Sequence, residues 1–292
     1  MDTRYRAPAR GRVRAAHDRA PAGHPVEMNS PRLRPMPFTA GHPAAVLPLV
    51  RSGLPGSALV IGTVTPDLPM MLPIPEVVHF AHTPLGLGTV DLALGTIVFL
   101  LWQVFFAPAV RAIAPRALAA RLPADVPRGL AFHVADRGRA ARVLVAVLIG
   151  AATHLIWDGV THDWMWGPQY VPWLAARHGS LLGWEWVQRF SDVAGTAIVV
   201  GWLIAWWRRT PERADVGVLP LGIRCAAWSL ILCPAVAGFA YWLLADSLFA
   251  AFARGAGPGV VGLVVVTATW WTRARRGSDM DRGSAEGLSA GA

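Results

Sequence analysis

The sequence contains no lysine, only two cysteines, and little charge of either sign. Charged side chains make up 15% of its 292 residues, where a soluble domain carries about 25%. With 54% apolar residues beside so little charge, a disordered chain and a coiled coil are both excluded. The cysteine count excludes a disulfide-stapled scaffold. Cys225 and Cys233 lie eight positions apart in one apolar run, about 12 Å along a helix, so they cannot bond to each other there and read as small buried hydrophobes. Nor is there a Gly-rich phosphate loop, a G-x-S-x-G elbow, an H-E-x-x-H or a C-x-x-C, which argues against nucleotide, serine-hydrolase and zincin chemistry. All 27 basic residues are arginine, and the net charge is +9. They sit in tails and in loops between apolar runs, where membrane orientation accounts for them, so no nucleic-acid partner is expected.

What is present is concentrated in the middle. Of the charged residues, 11 fall in residues 1–35 and 7 in residues 273–292. Residues 1–35 hold eight arginines and no apolar stretch, which predicts a disordered tail, or a start misassigned ahead of Met28 or Met36. Residues 36–272 read as a single membrane domain, and 273–292 as a disordered cytoplasmic tail. Five runs approach the length of about 20 apolar residues that a span requires: 92–110, 143–162, 193–207, 225–245 and 255–272. The third has room to extend back through Phe190, and Pro234 sits inside the fourth. Residues 43–75 differ, because Pro48, Pro55, Pro66, Pro69, Pro73 and Pro75 surround a short apolar stretch. That pattern predicts a re-entrant or interfacial segment packed on the other helices. The fold class is therefore all-α, a polytopic integral membrane bundle of about five spans plus this N-terminal segment.

Arginine counts in the connections alternate: seven in 111–142, two in 158–192, four in 208–224, one in 246–254 and four in the C-terminal tail. The positive-inside rule then places 111–142, 208–224 and the C-terminus in the cytoplasm, and 158–192 and 246–254 outside. Six of the 14 tryptophans fall between Trp157 and Trp186. An interfacial aromatic belt explains most of them.

The strongest chemical signal is His154, Asp158 and His162, spaced four apart. On an α-helix such positions drift by only about 40° per step, so the three share one face. Imidazole and carboxylate are the ligand types that hold zinc and similar divalent ions, and an ionisable group within a membrane is costly unless paired. One such residue alone most often just locks helices together; three on one face point to a site. Upstream, His42, Asp67, His79 and His82 are further candidates, with His82 just before the first span, on the side to which the second span returns Asp158 and His162. Asp91 and Asp192 read as helix N-terminal residues, Asp246 as a terminator, and His133 and His178 as solvated.

Together, Met36-Pro37-Phe38-Thr39, His42-Pro43 through Pro48, Pro66-Asp67, His82-Thr83, His154, Asp158 through His162, and Gln188 with Ser191 resemble the bacterial membrane proteins called domain of unknown function 4184. The resemblance spans roughly residues 36–272. That family is loosely similar to inner-membrane proteins described as metal-dependent hydrolases. Met70 and Met71 stand where the family pattern has aromatics, and Ser191-Asp192 replaces two serines. The resemblance implies a site of His42, Asp67, His82, His154, Asp158 and His162, and it adds nothing for His79. The expected function is a metal-dependent hydrolase of the bacterial cytoplasmic membrane. It would hold a divalent metal such as zinc, use Asp67 and Asp158 in catalysis, and act at the outer face on a lipid-linked or extracytoplasmic substrate. The alternative is a non-enzymatic protein in which the same groups form a proton or ion relay, or lock helices.

Overall fold

The computed structural model describes residues 41–71, 75–123, 128–214, 216–246 and 248–290. The arginine-rich segment 1–35 and the motif at 36–39 lie outside the described residues. Of the described residues 83% are helical, and the strands Arg177–His178 and Leu181–Leu182 form a short antiparallel pair.

A helical hairpin opens the described chain. A 3-10 helix, His42–Arg51, runs into a turn at Gly53, whose φ of 85° suits glycine because it has no Cβ to clash. The chain returns as α1, Gly56–Val64, and continues as a second 3-10 stretch, Thr65–Met71. Ten residues of 3-10 helix cover about 20 Å and the nine of α1 about 14 Å, each short of the bilayer's apolar thickness of about 30 Å. The segment doubles back on itself and so returns Asp67 to the end of the bundle where His42 began.

Among the described residues, four helices are long and apolar enough to cross a membrane: α2, Pro84–Ile113; α3, Arg137–Thr161; α4, Gly183–Arg209; and α5, Leu221–Ala245. α2 is widened by π turns at Leu87–Asp91 and Trp102–Phe106. α3 starts on Asp136, whose carboxylate accepts from the Arg139 amide at 2.9 Å and so satisfies one of the first turn's orphan donors. The fifth run lies in α6, Gly257–Ala290. Its apolar part ends at Arg273, too soon to rank with the other four. α6 continues as helix through residues whose composition predicts an unstructured tail, since extending an existing helix needs no new nucleus.

Two packing centres hold the bundle. In the first, Val46 and Leu59 of the hairpin meet Phe99 of α2 and Val147 of α3. α1 lies directly on α3: a Cβ added at Gly150 would stand 2.8 Å from the Cα of Gly62, so only glycine permits that approach. In the second, Ile113, Ala227, Ile231 and Val266 join α2, α5 and α6. The outer helices bury little: 6% of the apolar window of α4 and 11% of that of α5. Broad apolar faces of this extent suit lipid, not water, so the fold is that of a helical membrane protein.

The readings of five residues change. Cys225 and Cys233 are exposed, because α5 turns most of its circumference outward. Asp91 begins no helix; it lies within α2 and is fully buried, since the helix starts a turn and more earlier, at Pro84. Asp192 likewise sits inside α4 rather than at its start. His133 is buried instead of solvated, its ring edge-on to Phe99 and Phe132 at 5.0 and 5.2 Å. Burial, with the charges of Arg128 and Arg139, lowers its pKa. Asp246 follows the last residue of α5, as expected.

Candidate metal centre

α3 supplies His154 and Asp158 one turn apart, both buried. Each of the other contributors comes from a different element. Asp67 lies in the 3-10 stretch that ends the hairpin, and His82 follows the short helix Pro75–Ala81. Their ligand atoms lie within 4.8 Å of one another.

The two histidines are fixed in one tautomer. His154 Nδ1 donates to the Thr63 carbonyl at 2.8 Å and His82 Nδ1 to the Val78 carbonyl at 2.9 Å. A carbonyl only accepts, so each Nδ1 carries a proton and each Nε2 is turned to the centre. Neither Nε2 has a hydrogen-bond partner, although both are buried. They stand near carboxylates without hydrogen-bond alignment: His82 Nε2 is 3.5 Å from Asp67 Oδ1 and 3.5 Å from Asp158 Oδ2, and His154 Nε2 is 3.5 and 3.2 Å from the same two atoms. Ligands about 2.1 Å from a tetrahedral ion lie about 3.4 Å from each other. The spacing therefore fits a divalent ion, and the backbone bonds of the two rings are the outer support such ligands require.

His42 and His162 flank the four. His42 Nε2 bonds Asp158 Oδ1 at 2.9 Å, and its ring stacks on that of His154 with centroids 4.0 Å apart. It holds Oδ1, while His82 and His154 stand against Oδ2. His162 follows the last turn of α3, with Nδ1 3.0 Å from Thr161 Oγ1 and 3.6 Å from Asp158 Oδ1. Burial outweighs the nearby Asp158 and Asp67 and lowers the pKa of His162, favouring the neutral ring. Burial would also push His82 down, but the carboxylates of Asp158 and Asp67 bring it up to about 9. For Asp67 burial acts to raise the pKa, yet His154 and His82 hold the carboxyl well below the usual range.

All six residues expected from the sequence thus converge, while His79 is exposed, set edge-on to Trp164 at 5.2 Å. His178 lies apart, stacked on Trp173 at 4.5 Å. Three neighbours escaped the residue pattern. Trp164, which reads as part of an interfacial belt, stands edge-on to His82 at 5.2 Å and to His162 at 6.1 Å. Gln188 brings its amide to 3.5 Å from His162 Nε2; its only signal was its place in the family pattern. Both carboxylate oxygens of Asp91 are buried without hydrogen-bond partners, within electrostatic reach of His82, His154 and Asp67. A lone acid in an apolar run gives no hint of which neighbours it will face.

No curated protein and no solved structure matches the chain. Residues 36–276 match the family described as a domain of unknown function, DUF4184, and with its apolar helices and buried His/Asp group the chain belongs to that family.

Proposed function

We propose that the protein is a metal-dependent hydrolase of the bacterial cytoplasmic membrane, with zinc or a similar divalent ion held by Asp67, His82, His154 and Asp158. The observation that carries this reading is the pair of buried, partnerless Nε2 atoms placed 3.2–3.5 Å from two carboxylates. A divalent ion there would acidify a water and draw charge from a substrate oxygen. The chain's own groups do the rest. His42 fixes the orientation of Asp158 through its 2.9 Å bond. His162, kept neutral by burial, accepts the proton of the attacking water and returns it to the leaving oxygen. Gln188, 3.5 Å from that ring, orients it. His82 and His162 adjoin ends of α2 and α3, not their middles, so the substrate approaches at a membrane surface, and the arginine counts make that surface the outer one. This favours a lipid-linked or extracytoplasmic ester or phosphoester.

The first test is metal analysis of protein purified in detergent without chelators. Near-stoichiometric divalent metal is expected, lost in Asp158→Ala and in His154→Ala and retained in His178→Ala. Wild-type protein devoid of metal, and unable to take it up, would overturn the reading and leave a relay or helix-locking role for the same groups.

A further inference from the structure

At the other end of α3 lies a cavity of about 610 Å³, within the range of small-molecule sites. Its lining includes Arg111, Arg128, Arg139 and Arg142 and, among the described residues, no carboxylate. Arg142 and Asp158 are sixteen residues apart on one helix, about 24 Å, so the cavity is separate from the metal centre. The tip of the hairpin, Gly53 and Leu54, forms one wall, and the second π turn of α2 forms another through Trp102 and Gln103.

Three features mark it as a binding site and not a row of interfacial anchors. Two guanidiniums are pre-set over one ring, Arg128 at 4.7 Å and Arg139 at 4.3 Å from the Phe132 centroid. Arg139 is tied further to Asp136 at 3.1 Å and to the Phe132 carbonyl at 3.3 Å. Planar guanidiniums held in this way suit the oxygens of a phosphate. Gln103 supplies the second feature. Its amide nitrogen donates to Ser57 Oγ at 3.1 Å, while its Oε1 is buried with no partner. A hydroxyl donor from a ligand would satisfy it. The third is the apolar remainder of the lining, which includes Leu54, Trp102, Val110 and Phe132.

We propose that this cavity binds an anionic glycerophospholipid, with the phosphate on Arg128, Arg139 and Arg142, a headgroup hydroxyl on Gln103, and an acyl chain along Leu54 and Trp102. Basic pockets between membrane helices take anionic headgroups in this manner. The bilayer is the source, because a soluble phosphate ester would leave the apolar wall uncovered.

Calorimetric titration of the detergent-solubilised, metal-loaded protein tests this. The probes are dioctanoyl phosphatidylglycerol, dioctanoyl phosphatidylcholine and glycerol 3-phosphate. The phosphatidylglycerol should saturate one site, with the other two at least tenfold weaker. Arg139→Gln combined with Arg142→Gln should weaken it tenfold or more at unchanged metal content, and Gln103→Leu several-fold. If the double variant fails to fold, Arg142→Gln alone, at an exposed position, carries the test with a severalfold loss. Equal binding of the zwitterionic lipid, or indifference to these substitutions, overturns the proposal. Glycerol 3-phosphate binding as tightly as the lipid overturns it too, and makes the cavity a site for soluble phosphate esters. Metal content is measured separately, so failure here leaves the hydrolase reading intact.

Discussion

His82 shows how charge is balanced within the buried group. Without metal, its proton lies between two carboxylates at 3.5 Å, and its pKa of about 9 exceeds the value of about 6.5 of an unfolded chain. A histidine raised in this way contributes stability that is complete below about pH 6.5 and is lost as the pH rises through about 9. Asp67, held low by His154 and His82 against its burial, contributes stability that is present above about pH 4 and is lost as the pH falls towards its lowered value. Metal reverses the first of these slopes, because the ion competes with the His82 proton and binds more tightly as that proton leaves. Melting temperatures in detergent should therefore fall between pH 6.5 and 9 for chelator-treated protein and hold or rise for metal-loaded protein. The same slope in both preparations would mean that His82 is not a ligand. At this scale the sequence was legible where spacing alone decides the geometry, as in His154 and Asp158, one turn apart on α3, whereas His162 falls just past the helix end. It was not legible for the Thr63 and Val78 carbonyls that fix the two rings, because every residue has a carbonyl and only the fold selects which one faces a histidine.

Among the elements, the hairpin and α3 form one unit. α1 lies so close to α3 that Gly62 and Gly150 meet without side chains, and this approach sets Thr63 O against His154 and carries Asp67 to the centre. Gly150→Val should force the two helices apart. The cost exceeds that of an ordinary small-to-large core change, about 1–3 kcal/mol, because backbone atoms, not flexible side chains, stand in the way. Low yield, a lowered melting temperature and loss of bound metal are expected together. Gly201→Ala, on α4 with open space around it, serves as the control and should change none of these. A stable Gly150→Val protein that keeps its metal would show that the close approach is dispensable. Apolar length located four of the five expected spans, and proline density marked 43–75 as a segment apart from them. The glycine contact was invisible, since Gly62 and Gly150 are two among 29 glycines and only the pairing of their helices distinguishes them.

For the molecule as a whole, the decisive property is which way the bundle crosses the membrane. The metal centre and the arginine-lined cavity occupy opposite ends of α3, so a single orientation assigns both. Arginine is heavy in 111–142 and 208–224 and light in 158–192, and positive segments remain in the cytoplasm. On that rule the cavity, with Arg111, Arg128, Arg139 and Arg142 in its lining, would face the cytoplasmic leaflet, whose anionic lipids attract such a cluster. In the proposed orientation the candidate metal centre would face outward. The hairpin fits this orientation only by entering and leaving at the outer side, since His42 and Asp67 both reach the group around Asp158. A reporter active only in the cytoplasm should therefore be active when fused after Arg208 and silent when fused near Ala175; a reporter active only outside should give the converse. Reversal of both results would turn the bundle over, putting the hydrolytic site against cytoplasmic substrates and the arginine cavity against the outer leaflet. The metal and lipid measurements would stand unchanged, but the substrate would have to be sought on the other side.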